Sequence, residues 1–248
     1  MIRRPPRSTQ GVSSAASDVY KRQISTHNNS AVISITKDGT ESTIECDKVL
    51  VAVGVQGNID DIGLENVEVE TNNSFITVNE NMETNIPGIY AIGDVTGKLM
   101  LAHVASAQAV TAAEFIAGLA PMPLDYTLMP RAIYCDPQVA SFGITETQAK
   151  EQNIDFTTGK FPFSASGKAI ALGETEGMIK LIVDTEVGEI LGAHMIGSEV
   201  TELLGEVSMV RLLEGTSTEL GWLVHPHPTI SEMLKEAALD TTSEAIHT

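Results

Sequence analysis

The sequence predicts an α/β segment followed by an α+β domain. Three observations carry that expectation. Two continuous apolar runs end in glycine, Val49-Leu50-Val51-Ala52-Val53-Gly54 and Gly88-Ile89-Tyr90-Ala91-Ile92-Gly93, the pattern of short strands buried on both faces. The second run passes through Asp94 into a helix opened by Leu99-Met100-Leu101-Ala102-His103 and rich in alanine. Beyond Pro121-Met122-Pro123, a proline-punctuated linker, the pattern changes to alternating strands at residues 178–184 and 190–196, with a helix at residues 198–213. These features divide the chain into residues 1–23, 24–120 and 121–248.

Residues 1–23 stand apart in composition. They hold five of the chain's 15 basic residues and one of its 33 acidic ones, with no helical or strand period. A basic disordered arm and an organelle transit peptide, which is Arg- and Ser-rich, are two readings. The preferred expectation is a foreign segment fused to the reading frame.

In the α/β segment, residues 31–36 alternate as a strand, Lys37-Asp38-Gly39 forms a hairpin turn, and residues 43–46 return. Residues 47–54 then read as a buried strand ending at Gly54, a position that also reads as an ordinary turn glycine. In the second apolar run, Gly93 lets the backbone come close to a ligand. Asp94 places a carboxylate at the strand's C-terminal end, where open α/β sheets bind ligands. The helix N-terminus that follows offers free N–H groups and partial positive charge, which suit an electron-rich or anionic atom. An ordinary strand, turn and packed helix, with Asp94 as a cap, is the other reading.

Charge and cysteines exclude several classes. A formal net charge of −18 opposes binding to nucleic acid or to an anionic membrane surface, both of which require basic patches. Residues 99–120 are the most apolar window, yet contain His103, Gln108 and Glu114; they read as a buried helix and not a membrane span. The two cysteines, Cys46 and Cys135, form no C-x-x-C, no metal spacing and no disulfide framework. A reduced compartment follows, the cytoplasm or alternatively the mitochondrial matrix.

In the α+β domain, residues 132–134 and 139–142 read as strands around Asp136-Pro137. Thr145 opens a short helix to Asn153, and residues 156–163 are extended. His194 sits in an interior strand and reads as core. The helix at residues 198–213 turns Val200, Leu203, Leu204 and Val207 to one face, with Glu202 and Glu206 elsewhere.

The final stretch, Val224-His225-Pro226-His227-Pro228-Thr229-Ile230-Ser231-Glu232, has three readings. Thr229-x-x-Glu232 is a capping box for a helix over residues 230–238. His-x-His is half of a metal site, for which no third ligand stands nearby. The third is an acid–base pair. Pro226 and Pro228 stiffen the backbone and hold His227 in one pose. Glu232, a turn away, accepts the proton on the second ring nitrogen, which fixes the tautomer and raises basicity.

The wording Thr84-x-Ile86-Pro87-Gly88-Ile89-Tyr90-Ala91-Ile92-Gly93-Asp94-Val95, followed by Met100-Leu101-Ala102-His103, resembles the second flavin-binding segment of the pyridine nucleotide-disulphide oxidoreductases. The resemblance covers roughly residues 24–240, the C-terminal half of a family member. It implies FAD, with Asp94 accepting a hydrogen bond from the ribitol and the backbone of Met100, Leu101, Ala102 and His103 meeting the flavin ring. It implies NAD, with Gly54 letting backbone approach the nicotinamide nucleotide, although Val55-Gln56-Gly57 replaces the family's Arg-x-Pro. On this resemblance residues 24–120 are the tails of the NAD- and FAD-binding domains, and residues 121–248 are the interface domain of a homodimer.

Within the family, H-x-H-P-T-x-S-E resembles the dihydrolipoamide dehydrogenases. That likeness implies His227 as catalytic base, Glu232 as its orienting partner, and lipoyl domains of 2-oxoacid dehydrogenase or glycine-cleavage complexes as partners. A fragment of a glutathione-type disulfide reductase and a non-catalytic dimerisation module are the alternatives. No G-x-G-x-x-G and no C-x-x-x-x-C occurs in the chain, so both pyrophosphate loops and the redox disulfide are expected upstream.

Overall fold

The computed structural model describes residues 21–27, 30–37, 39–52 and 54–247. The chain divides between Val55 and Gln56 into two compact units.

The first unit is a three-stranded antiparallel sheet in the order β1-β2-β3, with β1 Lys21–His27, β2 Ser30–Lys37 and β3 Thr40–Cys46. Lys37 pairs with Thr40, closing a hairpin where the sequence predicts one; Asp38 of the expected turn lies outside the described residues. β1 takes in Lys21, Arg22 and Gln23, three residues of the segment read as foreign; residues 1–20 lie outside the described residues. The expected buried strand over residues 47–54 does not form. Residues 47–52 join no ladder, and Leu50 and Val51 are 89% and 67% exposed. A strand apolar on both faces needs neighbouring strands to pair with and layers packed on each face, and no described strand pairs with this one. Val53 lies outside the described residues.

The second unit opens with a 3-10 turn, Leu64–Asn66, and a two-residue hairpin, β4 Thr71–Asn72 and β5 Phe75–Ile76. Val69, Ile76 and Ala91 form a small apolar cluster there. The strand expected over residues 88–92 is also absent. Only Tyr90 pairs, as an isolated bridge to Glu83, and a 3-10 turn, Gly93–Thr96, follows. The helix arrives as predicted. α1, Ala102–Ile116, buries Val104, Gln108, Thr111 and Ala112.

Beyond the linker stands a five-stranded sheet in the order β6-β7-β10-β9-β8, with every neighbouring pair antiparallel. Its strands are β6 Arg131–Ile133, β7 Gln138–Gly143, β8 Phe156–Pro162, β9 Met178–Asp184 and β10 Ile190–Gly197. Four match the sequence expectation within two residues at each end, and β9 matches at both ends. The helix expected from Thr145 is α2, Glu146–Glu151. It is shorter than predicted but carries the full capping box between Thr145 and Gln148. α3, Gly167–Leu172, and α5, Ser217–Trp222, were not expected. The helix expected over residues 198–213 is a 3-10 turn, Val200–Leu203, running into α4, Leu204–Leu212. Its predicted apolar face, Val200, Leu203, Leu204 and Val207, is buried in the main core.

α6, Glu232–Asp240, closes the core. Met233, Leu234, Ala237 and Ala238 pack with Phe161, Ile179 and Leu181. Its closeness to β8 depends on Gly159: a Cβ there would lie 1.9 Å from the Ala237 carbonyl oxygen. The Lys160 N–H also donates to Asp240 Oδ2 at 2.8 Å. Gly159→Ala is therefore expected to push α6 off the sheet and cost about 1–3 kcal/mol, the range of an overpacked core. An unchanged thermal midpoint would refute this dependence.

The same helix buries a carboxylate. Glu236 is 5% exposed, and the end of the chain folds back onto it. The Ile246 N–H donates to Oε2 at 2.8 Å, the His247 N–H to Oε2 at 3.2 Å, and His247 Nδ1 meets Oε1 at 2.8 Å. Burial alone pushes the Glu236 carboxyl up, but the hydrogen bonds from His247 and Ile246 and the charge of His247 outweigh it and hold the group below the usual range. A carboxyl whose folded pKa is depressed stabilises the fold above its unfolded pKa, and that stability is lost as pH falls through the folded value. Deleting residues 245–248 is expected to strand the carboxylate at a cost of about 2–3 kcal/mol at neutral pH. The deletion should also flatten the acid limb of a stability–pH profile, and an identical profile would contradict the contact.

Candidate functional site

Two groups of sequence-predicted residues lie in the second unit. The first surrounds Asp94. Gly93 takes φ 76° at the start of the 3-10 turn and packs its backbone against the first turns of α1; an added Cβ would meet Ala105 Cβ at 3.4 Å. Gln108, 1% exposed, fixes this arrangement from inside α1. Its Oε1 accepts the Gly93 N–H at 2.6 Å, and its Nε2 donates to the Tyr126 hydroxyl at 2.9 Å. Lys98 Nζ stands 5.3 Å from the centre of the Tyr126 ring. The Asp94 carboxylate is exposed and has no hydrogen-bond partner among the described residues. Met100, Ala102 and His103 are exposed around the N-terminus of α1, where Leu101 is the N-cap. The first N–H groups of a helix have no intrahelical acceptor. A bare carboxylate and a bare helix N-terminus thus stand on adjacent elements. His103 Nε2 contacts the Pro130 carbonyl oxygen at 2.8 Å, which ties α1 to the start of β6.

Gln108 and Tyr126 are the residues that sequence reasoning missed here. A glutamine in a small-residue helix gives no signal of its backbone partner. Gly54 belongs to the first unit, where it takes φ 133° with nothing within 4 Å of a built Cβ.

The second group is the His227–Glu232 pair. α6 begins at Glu232, and the segment before it carries His227. His227 Nδ1 lies 2.9 Å from Glu232 Oε1, and the Thr229 N–H donates to Glu232 Oε2 at 2.8 Å. Only half of the expected capping box forms, the Thr229 N–H to Glu232; the Thr229 hydroxyl donates to the Pro226 carbonyl oxygen at 2.7 Å. Partial burial pushes the Glu232 carboxyl up. The Thr229 N–H, the hydrogen bond and charge of His227 and the charge of His225 together outweigh it and hold the carboxyl below the usual range. An ionised carboxylate only accepts, so in the neutral ring of His227 Nδ1 donates and Nε2 is the lone pair. The His227 side chain is 77% exposed, and that lone pair can meet an incoming group.

Two residues earlier, His225 is 4% exposed at its side chain, with Nε2 at 2.7 Å from Glu206 Oε1 on α4. No group of three His, Cys, Asp or Glu able to hold a metal occurs among the described residues. His194 serves the fold: its Nε2 contacts the Ile144 carbonyl oxygen at 2.9 Å across the sheet. Nor is any described helix long and apolar enough to cross a membrane. No hydrogen bond or ion pair among the described residues links the Asp94 group to the His227–Glu232 pair.

Two family models match the chain. Residues 8–109 match the pyridine nucleotide-disulphide oxidoreductase model, and residues 129–238 match the dimerisation domain of the same family. Among curated proteins, the dihydrolipoyl dehydrogenase of Bacillus subtilis (strain 168) is 48% identical over 215 residues, covering 87% of this chain and 45% of the relative. That of Mycobacterium leprae (strain TN) is 48% identical over 215 residues, covering 86% and 46%. The chain thus spans about half the length of the curated relatives it matches. Among solved structures, LpdA from Mycobacterium tuberculosis superposes with a TM-score of 0.79 at 22% identity, over 91% of this chain and 50% of that one, a likeness of fold. The HOCl-induced flavoprotein disulfide reductase RclA from Escherichia coli gives a TM-score of 0.74 at 26% identity, over 85% and 48%.

Proposed function

We propose that this chain, which belongs to the pyridine nucleotide-disulphide oxidoreductase family, is the carboxy-terminal half of an enzyme that oxidises protein-bound dihydrolipoamide with NAD, through FAD and a redox disulfide held outside the chain. The observation that carries the proposal is the His227–Glu232 hydrogen bond, in which Nδ1 is committed and Nε2 is bare.

A thiol with a pKa of about 8.5 is mostly protonated at neutral pH, and only its thiolate attacks a disulfide. His227 Nε2 takes the proton from the dithiol as the sulfur attacks. Glu232 holds the ring in the receptive tautomer and stabilises the imidazolium that results. That attack breaks the enzyme disulfide, joining the first sulfur to one cysteine and releasing the other as a thiolate; the second sulfur, after losing its own proton, then closes on the first and expels the joined cysteine, so the dithiol leaves oxidised and both cysteines are left reduced.

The residues around Asp94 fit FAD along one edge. The free carboxylate could accept from hydroxyl groups, and the bare N-terminus of α1 would suit an electron-rich ring. When bound, the flavin would carry electrons from the reduced disulfide to NAD. Gly54, exposed and open around its Cα, fits close backbone approach of a nucleotide.

The homodimer belongs to the same proposal. Large apolar side chains are exposed on and beside the interface-domain elements: Ile133 and Tyr134 at the end of β6, Leu212 and Leu213 at the end of α4, and Trp222 and Val224 just before His227. A second copy covering these side chains would bring His227 to the partner's disulfide. The double substitution Tyr134→Arg, Trp222→Arg is expected to convert a dimer to a monomer in analytical ultracentrifugation, and an unchanged dimer would remove this face from the interface.

A second reading has one observation in its favour. The chain holds only Cys46 and Cys135, both free, so as it stands it is a dimerisation module without its redox pair. The test is completion. Joined to the amino-terminal half of the Bacillus subtilis relative, the chain is expected to reduce NAD with dihydrolipoamide. A folded, flavin-loaded chimera without turnover would favour the module.

A further inference from the structure

The segment that carries His227 is held at two ends, and only one lies on its own helix. At the C-terminal end, Glu232 and Thr229 fix it to α6. At the other end, His225 turns inward. Its side chain is 4% exposed, and Nε2 lies 2.7 Å from Glu206 Oε1 on α4, whose side chain is 26% exposed. Val224 and Pro226, its chain neighbours, are exposed, so the inward histidine is the segment's inner anchor.

The chemistry of the anchor is asymmetric. Glu206 accepts, so Nε2 carries the proton. His225 Nδ1 is buried with no partner among the described residues. As a bare lone pair it leaves only an acceptor unmet; a proton there would leave a buried donor unmet as well as a buried charge, which is costlier. His225 is thus a tether whose Nε2–H is committed to Glu206. Between it and His227 stands a single residue, Pro226, whose ring restricts the backbone and whose carbonyl accepts from Thr229. A displacement of His225 is therefore passed on to His227 with little slack.

We infer that Glu206, acting through His225, is a positioning residue for His227: it holds the segment where Nδ1 of His227 stays on Glu232 and Nε2 stays bare. This rests on reading His227 as the base. The side chains facing the tether are Glu206 from α4 and Glu232 from α6, with His227 on the segment itself.

The experiment reads the tautomer directly, in the 248-residue chain, from ring-nitrogen NMR shifts of labelled histidine well above the imidazole pKa of about 6.5. In the unaltered chain, His227 is expected to show a protonated Nδ1 and a bare Nε2. Glu206→Leu, similar in size but unable to accept, is expected to abolish that preference and leave a mixture of both tautomers. Glu206→Gln keeps an acceptor oxygen and is expected to restore the unaltered signals. If Glu206→Leu fails to fold, His225→Phe breaks the same bond from the other side with a ring of similar volume. A folded Glu206→Leu or His225→Phe chain with unchanged His227 signals overturns the proposal, as does a mixed tautomer in the unaltered chain. No turnover enters this measurement, so failure of the catalytic reading, seen as activity without His227, is separately visible.

Discussion

Replacing His227 with glutamine in the chimera completed with the Bacillus subtilis amino-terminal half is expected to lower dihydrolipoamide oxidation by about 10²–10⁴-fold, the usual contribution of a positioned acid–base group. The amide approximates the imidazole's polarity but has no lone pair basic enough to take a thiol proton. Because the His227 side chain is 77% exposed and outside the buried core, the loss should come without a change in fold or thermal midpoint. The dithiol-linked step should fall, while electron transfer between NADH and an artificial acceptor that bypasses the thiols should hold. Glu232→Gln should cost less, since it weakens the orienting bond and leaves the base in place, although it also loosens the Thr229 N–H contact. A His227→Gln chimera that retains full turnover with dihydrolipoamide would remove His227 from the mechanism.

The chain alone is expected to show no dehydrogenase turnover and to lose FAD on gel filtration. The edge proposed to meet the flavin comprises only the Asp94 carboxylate and the α1 N-terminus, and no G-x-G-x-x-G pyrophosphate loop occurs in the sequence. Neither free cysteine belongs to a C-x-x-x-x-C pair. The five-stranded sheet with α4, α5 and α6 has its own continuous core, built on Phe142, Phe161, Phe163, Leu181 and Leu234, and should still fold. Stoichiometric FAD after gel filtration, together with NADH-dependent turnover, would contradict this expectation.

Much of the interface domain was legible because its signals are local. The β9–β10 hairpin alternates within each strand, and α2 announces itself through Thr145 and Gln148, three residues apart. α5 was not read although Thr216 and Glu219 spell the same capping box, and it is as short as α2, six residues. β1 was missed because Lys21-Arg22-Gln23 is polar and basic, and its pairing with β2 comes from backbone register. The apolar runs at residues 47–54 and 88–92 were read as buried strands from composition. Composition reports the surroundings a segment prefers, and no described strands flank them.

The site divides in the same way. His227 and Glu232 stand five residues apart, across one loop and one helix start, so sequence spacing brought them together. His225 and Glu206 stand 19 apart, and Gln108 contacts Gly93 and Tyr126 from 15 and 18 residues away. Such pairs are made by the packing of separate elements, which no local pattern encodes.

The most direct test of the His227 assignment is to measure, anaerobically in the completed chimera, the rate at which dihydrolipoamide reduces the enzyme against the rate at which NADH does. His227→Gln is expected to slow the first by about 10²–10⁴-fold and leave the second unchanged. Equal loss of both rates, or loss of neither, would contradict the role of His227 as the base that opens the dithiol reaction.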